Sequence, residues 1–458
     1  MRRLRIILAI LVCKLARWGL RAWGRGGTNL PGRLALKLMP DLLGVLGRQV
    51  FTIVITGTNG KTTSARMLEQ CLKNAALPAF SNRSGANLLP GITAEFVVNA
   101  NWRGKMRLPY AVIECDEAAF RQVSLYLDAK IVLVTNVFRD QLDRFGEISH
   151  TLNSIRAGLL NSPHATVCLN ADCALCKGMV EGLSNPKHYF GVETALYGDD
   201  DGGMADMARC VQCGTAYVYD YKTYGHLGAY HCPQACDSGR PEANVAVTAL
   251  LEETPDTSTI EVRLGQERHR VTINLPGAYN IYNAVGVLAV ADVLGIGMET
   301  VGAALAAFQG GFGRMERLVI GDVAVRLILV KNPIGCSQVL RYLAAGTEPM
   351  ALVVCLNDKA GDGTDVSWIW DVDAELLGKM GDRLRAVYCS GIRADELAVW
   401  MKYAGVPEEK IRVEYDYDRL LEAVAKSSVP VTIMPTYTAM LALREKLVKQ
   451  YGLRQFWE

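Results

Sequence analysis

Short apolar runs alternate with amphipathic stretches along most of the chain. The runs at 51–55, 110–115, 130–136 and 165–169 read as buried strands, while 62–73 and 148–160 carry helical spacing. Runs this short, divided by helices and turn residues, predict parallel βαβ units and an α/β fold. Further on, 260–275 alternates with the period of strands. Helices are expected from 277 to about 294 and over 301–308. Past a joint at 313–317 the alternation restarts. Strands are expected at 325–330, 350–356, 386–389 and 431–434, and helices at 337–345, 374–379, 396–403, 420–426 and 439–450.

Segment 191–239 breaks this rhythm, being rich in Gly, Asp, Tyr and Cys and without a helical period. It holds a CxxC at Cys210 and Cys213 and a CxxxC at Cys232 and Cys236, close to the spacing of a zinc ribbon. Four such thiolates make a closed tetrahedral structural site with no open catalytic position. They are the expected Zn²⁺ ligands, with a looser knuckle at the second pair and His231 as an alternative ligand. Cys168, Cys173 and Cys176 form a separate group, read as helix-facing or surface thiols. Cys13, Cys71, Cys115, Cys355 and Cys389 sit in apolar runs and read as small core residues.

Composition narrows the classes. Of 458 residues, 50% are hydrophobic and 21% charged, which suits buried cores. The 49 basic residues nearly balance 47 acidic ones, which argues against nucleic-acid binding through phosphate contacts. No signal peptide with a small-residue cleavage site is read, so a reducing cytoplasm without disulfides is expected. At the N-terminus, Arg2, Arg3 and Arg5 precede an apolar run at 6–13, followed by Lys14, Arg17 and Arg21. The run is too short to span a bilayer. Two readings fit it: a basic amphipathic helix at the inner face of the cell membrane, and a helix packed on the following domain. Residues 24–31 and 82–92 read as loops, and 34–46 as another helix.

The chemistry centres on residues 49–66. The first apolar run stops at Thr56 and gives way to Gly57-Thr58-Asn59-Gly60-Lys61-Thr62-Thr63, then to a helix. Strand, glycine loop and helix together cradle nucleotide phosphates, because backbone N–H groups point at the anion. Lys61 adds a point charge, and the Thr62 hydroxyl suits Mg²⁺. The common version of the loop has four residues between its glycines; here only Thr58 and Asn59 stand there. Glu114, Asp116 and Glu117 end a strand, where open α/β sheets bind ligands. Asp358, Asp362 and Asp365 lie in a Gly-rich stretch after another strand, and composition alone favours solvated turn residues there.

TGTNGKTT at 56–63, the Glu114-to-Glu117 strand end, GAYNIYN at 277–283 and the Gly313-Arg314 joint resemble the Mur ligase family. Folylpolyglutamate synthases carry the same loop form. The resemblance is more specific to the MurT-type synthetase subunits of lipid II isoglutaminyl synthase. It is carried by TNVFRDQLDRFGE at 135–147, the cysteine insert, KNPIG at 331–335, LNDKAGDGTDVSWIWDVD at 356–373, CSGIRADELA at 389–398 and PTYTAML at 435–441. The fold it implies is a helical segment over 1–45, then a Mur ligase central ATPase domain over 46–312 with a zinc ribbon inserted at about 205–240. A Rossmann-like α/β domain over 315–458 would follow. The implied activity belongs to peptidoglycan biosynthesis. ATP phosphorylates the D-glutamate α-carboxyl of the lipid II stem peptide, and ammonia from a GatD-type glutaminase partner displaces the phosphate.

By the same resemblance, Glu114 matches the Mg²⁺ glutamate, Asn283 the adenine contact with Asn280 its neighbour, and Arg314 the arginine that reaches nucleotide phosphates. The family's functional aspartate of the C-terminal domain is assigned first to Asp365, then to Asp358. Three features depart from the wider family. Tyr279 and Lys331 each replace a histidine, and the carbamylated lysine finds no position. A stand-alone ligase that adds an amino acid is the alternative. A non-catalytic zinc scaffold is a third reading, opposed by the intact Lys61, Glu114 and Arg314. No glutaminase signature is read in the chain, so the partner is expected to be separate. It is expected to dock on the C-terminal domain, where Trp368 and Trp370 read as core or interface.

Overall fold

The computed structural model describes residues 2–22, 29–82, 86–138, 148–196, 209–210, 212–236, 239–311 and 313–452. The 139–147 part of the TNVFRDQLDRFGE phrase, loop residues 24–28 and 83–85, and insert positions 205–208, 211 and 237–238 lie outside the described residues.

The first sheet is built from β1 (Phe51–Thr56), β2 (Ala79–Ser81), β3 (Tyr110–Glu114), β4 (Ala129–Val134), β5 (Thr166–Asn170) and β6 (Lys187–Val192). After a separate hairpin of β7 (Val218–Tyr224) and β8 (Leu227–His231), it adds β9 (Val245–Glu253), β10 (Ser258–Leu264) and β11 (Glu267–Ile273). Its order is β11-β10-β9-β6-β5-β4-β1-β3-β2. The pairs from β2 across to β9 are parallel. Strand β1 lies inside the sheet and buries every residue but its first, so its sequence is a continuous apolar run without alternation. The last two pairings, β9–β10 and β10–β11, are antiparallel. This meander replaces βαβ units at one edge, because turns joining strands this closely return the chain beside itself.

Helix Lys61–Asn74 packs against β1, β2 and β3. It also meets helix Ala278–Val293, which lies on β4, β5, β6 and β9 and is buried almost throughout. Such a helix shows little polar face, which explains the apolar run from Ala284 to Ala291, while Asn280 and Asn283 in its first turns are buried polar groups. The helix expected at 34–46 is two, Asn29–Leu38 and Leu42–Gly47. Pro40 between them lacks an amide hydrogen and disfavours a helical residue before it. Helix Leu89–Asn99 begins inside the stretch read as a loop, with Pro90 in its first turn, where the missing donor costs nothing.

The N-terminal helix, Arg2–Ala22, buries Ala9, Ile10 and Cys13 completely in the same core as the first sheet. Packing on the following domain thus holds for one of its faces.

The second sheet comprises β12 (Glu316–Ile320), β13 (Val323–Leu327), β14 (Met350–Cys355), β15 (Leu384–Ser390), β16 (Ile411–Val413) and β17 (Val431–Pro435), in the order β12-β13-β17-β14-β15-β16. Only β12–β13 is antiparallel; the residues read as a joint lead straight into this hairpin. Arg326 reaches Asp256 of the first unit at 2.9 Å, and Tyr342 donates to the Pro255 carbonyl at 2.7 Å.

Candidate active site

The phosphate loop stands where the sequence places it, between β1 and helix Lys61–Asn74. Gly60 has φ +87°, and a Cβ there would lie 1.9 Å from Asn283 Oδ1, so both conformation and space demand glycine. The loop is pinned by the end of β4. The Asn59 N–H donates to Asn136 Oδ1 at 3.0 Å, and Asn136 Nδ2 donates back to the Asn59 carbonyl at 3.2 Å. Thr58 N–H donates to the Asn136 carbonyl at 3.0 Å, and the Phe138 N–H donates to Thr58 Oγ1 at 3.0 Å. Asn136 is therefore a site residue without an assigned role in the sequence reading. The signal that flags Glu114, a polar residue ending a buried strand, applies to it equally.

Lys61 is buried, and its ammonium donates to the Gly57 carbonyl at 2.5 Å and to Glu117 Oε1 at 2.9 Å. Burial works against the charge, but Glu117 and then Glu114 outweigh it and raise the lysine pKa. Burial pushes the Glu117 carboxyl up, and Lys61 partly offsets this. Glu114 is buried at the end of β3, its backbone clamped by Asn82, which donates to its carbonyl at 2.7 Å and accepts its N–H at 2.9 Å. Arg314 lies within the electrostatic reach of Glu114. Burial lowers the guanidinium pKa, and Glu114 works the other way. Asn283 is buried against Gly60, with Asn280 one turn away and accepting from its Nδ2 at 3.4 Å.

Around these groups opens a cavity of about 1750 Å³ that reaches from Lys61, Thr62 and Glu114 across to Lys331 and Asp362. Asn332 caps helix Pro333–Ala345 through the Gly335 N–H at 2.8 Å and donates to Asn59 Oδ1 at 3.0 Å, tying the two units together at the loop. Asp362 is buried, accepts the Thr438 N–H at 2.6 Å and also the Thr438 hydroxyl. The other two aspartates do not join it. Asp358 pairs with Arg393 at 2.8 Å, and Asp365 is exposed, accepting the Ser367 N–H at 2.8 Å. Trp368 is buried, whereas Trp370 is 53% exposed and edge-on to Tyr403.

Cys210, Cys213, Cys232 and Cys236 converge, with all four sulfurs within 4.8 Å of one another. Measured pairs stand at 3.2, 3.6 and 3.4 Å. Zn–S bonds of about 2.3 Å set tetrahedral sulfurs roughly 3.8 Å apart, so the cluster fits a metal of that size. His231 turns away to Asp220, at 3.7 Å. The surface reading of Cys168, Cys173 and Cys176 fails, because all three are fully buried, with Cys173 Sγ 3.4 Å from His226 Nε2.

Comparison with known proteins agrees with this geometry. The Mur ligase middle domain profile matches residues 55–216, and the MurT ligase C-terminal profile matches 329–440. The lipid II isoglutaminyl synthase (glutamine-hydrolyzing) subunit MurT of Streptococcus pneumoniae is 34% identical, covering 99% of both chains. The MurT subunit of Staphylococcus aureus is 33% identical over 97% of this chain and 98% of its own. Among solved structures, MurF from Acinetobacter baumannii aligns with TM-score 0.64 at 17% identity, over 91% of this chain and 81% of that one. Folylpolyglutamate synthase from Mycobacterium tuberculosis aligns with TM-score 0.60 at 15% identity, over 90% and 94%. These two share the fold. The nearly full-length likeness to the MurT subunits goes further: the chain belongs to the MurT family, among the ATP-dependent ligases of the Mur ligase superfamily.

Proposed function

We propose that this chain is the synthetase subunit of a glutamine-dependent lipid II isoglutaminyl synthase. It activates the α-carboxyl of D-glutamate in the lipid II stem peptide with ATP and exchanges the phosphate for ammonia. The observation that supports this most is the single cleft that holds the phosphate loop, Glu114, Arg314 and Lys331 together. A carboxylate is a poor electrophile until phosphorylated, and phosphoryl transfer is catalysed chiefly by positioning and charge. Backbone N–H groups from Gly60 into the first turn of helix Lys61–Asn74 would cradle the phosphates, while Lys61 and Arg314 offset charge on the transferring group. The Asn283 amide would meet the base, while Asn136 holds the loop in place. Thr62 and Glu114 would hold Mg²⁺, which would supply positive charge to offset that of the phosphates. Zn²⁺ held by the four cysteines would be structural.

Ammonia would come from a GatD-type glutaminase docked on the C-terminal unit. The exposure of Asp365, and of Trp370 in the same segment, supports a contact with such a partner, whereas Asp358 is engaged by Arg393. Asp365 would orient or accept a proton from a group of the partner's site. The setting is the cytoplasm at the inner face of the membrane, where the lipid-linked substrate is available. Among the described residues no helix is long and apolar enough to cross a membrane. The test is amidation of lipid II by the chain with ATP and ammonium, then with glutamine and the glutaminase. Formation of D-isoglutamine in both cases supports the reading; addition of an amino acid would favour the stand-alone ligase.

A further inference from the structure

Helix Arg2–Ala22 carries two apolar faces. One is the buried face of Ala9, Ile10 and Cys13. The other is open: Leu4 is 71% exposed, Leu8 49%, Leu11 43%, Leu15 65% and Trp18 73%. Steps of four and three residues keep these five side chains on one stripe, opposite the buried face, at about 3.6 residues per turn. A single exposed leucine needs no explanation, but a contiguous stripe running the length of a helix marks an interaction surface. The helix contains no acidic residue. The same geometry sets Arg3 and Arg21 along one edge of the stripe and Arg5 along the other; all three are exposed.

We propose that this open face docks the protein on an anionic lipid bilayer. This rests on the proposed lipid-linked substrate and names how the enzyme would reach it. Apolar side chains flanked by arginines suit the boundary between acyl chains and anionic headgroups. A second copy of the chain is a poor occupant, because identical helices meeting along this stripe would oppose like charges at its edges. The helix packs on helices Asn29–Leu38 and Leu89–Asn99. Gly32 abuts the Pro90 carbonyl so closely that a Cβ would lie 1.8 Å from it, locking those two together. Asn29, Arg33, Leu89 and Pro90 line the active-site cavity. The helical layer that carries the stripe therefore also forms part of the cavity wall, joining the docking face to the cleft through rigid packing.

Flotation of the full-length chain with vesicles tests this. The chain is expected to float with vesicles of phosphatidylglycerol and phosphatidylcholine, and about tenfold less with phosphatidylcholine alone. Leu8→Glu/Leu15→Glu and, separately, Arg3→Glu/Arg5→Glu should each weaken flotation about tenfold or more. Both double variants should keep the wild-type circular dichroism and unchanged amidation of a water-soluble stem-peptide substrate. Equal flotation of variants and wild type, or no flotation at all, would overturn the proposal. So would loss of self-association or of glutaminase binding in the leucine variant, which would make the face a protein interface. If the wild type fails to amidate even the soluble substrate, the proposed reaction falls, while flotation still judges the helix.

Discussion

Lys61 and Glu117 form a buried pair at the phosphate loop. The lysine satisfies its ammonium with the Gly57 carbonyl and the Glu117 carboxylate. Phosphates entering the loop would compete for that charge. Lys61→Ala should lower ATP-dependent turnover about 100-fold or more while the protein stays folded, since a charge beside the transferring group is lost. Near-normal turnover would remove this loop from the chemistry. Glu117→Gln tests the pair itself. It strands a buried ammonium and should cost the nucleotide-free protein up to roughly 3 kcal/mol. Added ATP should then raise the melting temperature more than in the wild type; an equal rise would mean that Glu117 has no hold on the lysine. The loop residues were legible in sequence because their spacing is local. Glu117 was visible only as one of three strand-end acids. The roles of Asn82 and Asn136 depend on partners far along the chain and leave no spacing to read.

At the scale of elements, the buried parallel strands and the long helices were readable because each is a distinct apolar run or period. What escaped was short or held by contacts. Strand β2 has three residues, and β6 and β9 lack a clean pattern. The cysteine insert forms its own small core, in which Tyr217 and Tyr230 pack with Cys210 and Cys232. Few apolar groups hold it, so metal is expected to dominate its stability. The native protein should carry about one Zn²⁺ per chain. Cys213→Ser should lose that metal and loosen the hairpin, with a smaller effect on nucleotide binding. Cys173→Ser should leave metal content unchanged, because that thiol lies against His226 outside the cluster. Elemental analysis of the three proteins decides it, and absence of zinc from the native protein would refute the assignment.

Across the whole molecule, the cleft is shared between two units that touch through Asn59 and Asn332 and through Asp256 and Arg326. Neither unit holds the full set of groups alone. Free ammonia is largely protonated in neutral water and no longer nucleophilic, so the proposed glutaminase would have to deliver it at close range, and the proposal puts that contact on the C-terminal unit. Asp365→Asn keeps an oxygen able to accept the Ser367 N–H, so the turn should survive. The variant should still bind ATP and assemble with the glutaminase, yet lose most glutamine-dependent amidation. Full activity would return Asp365 to a turn role and leave Asp358 to be tested next. The central measurement is mass spectrometry of the stem peptide after incubating lipid II, ATP and glutamine with this chain and its glutaminase. Conversion of D-glutamate to D-isoglutamine, dependent on ATP and on both chains, is expected. A peptide lengthened by an amino acid, or an unchanged stem peptide with both chains assembled, would contradict it.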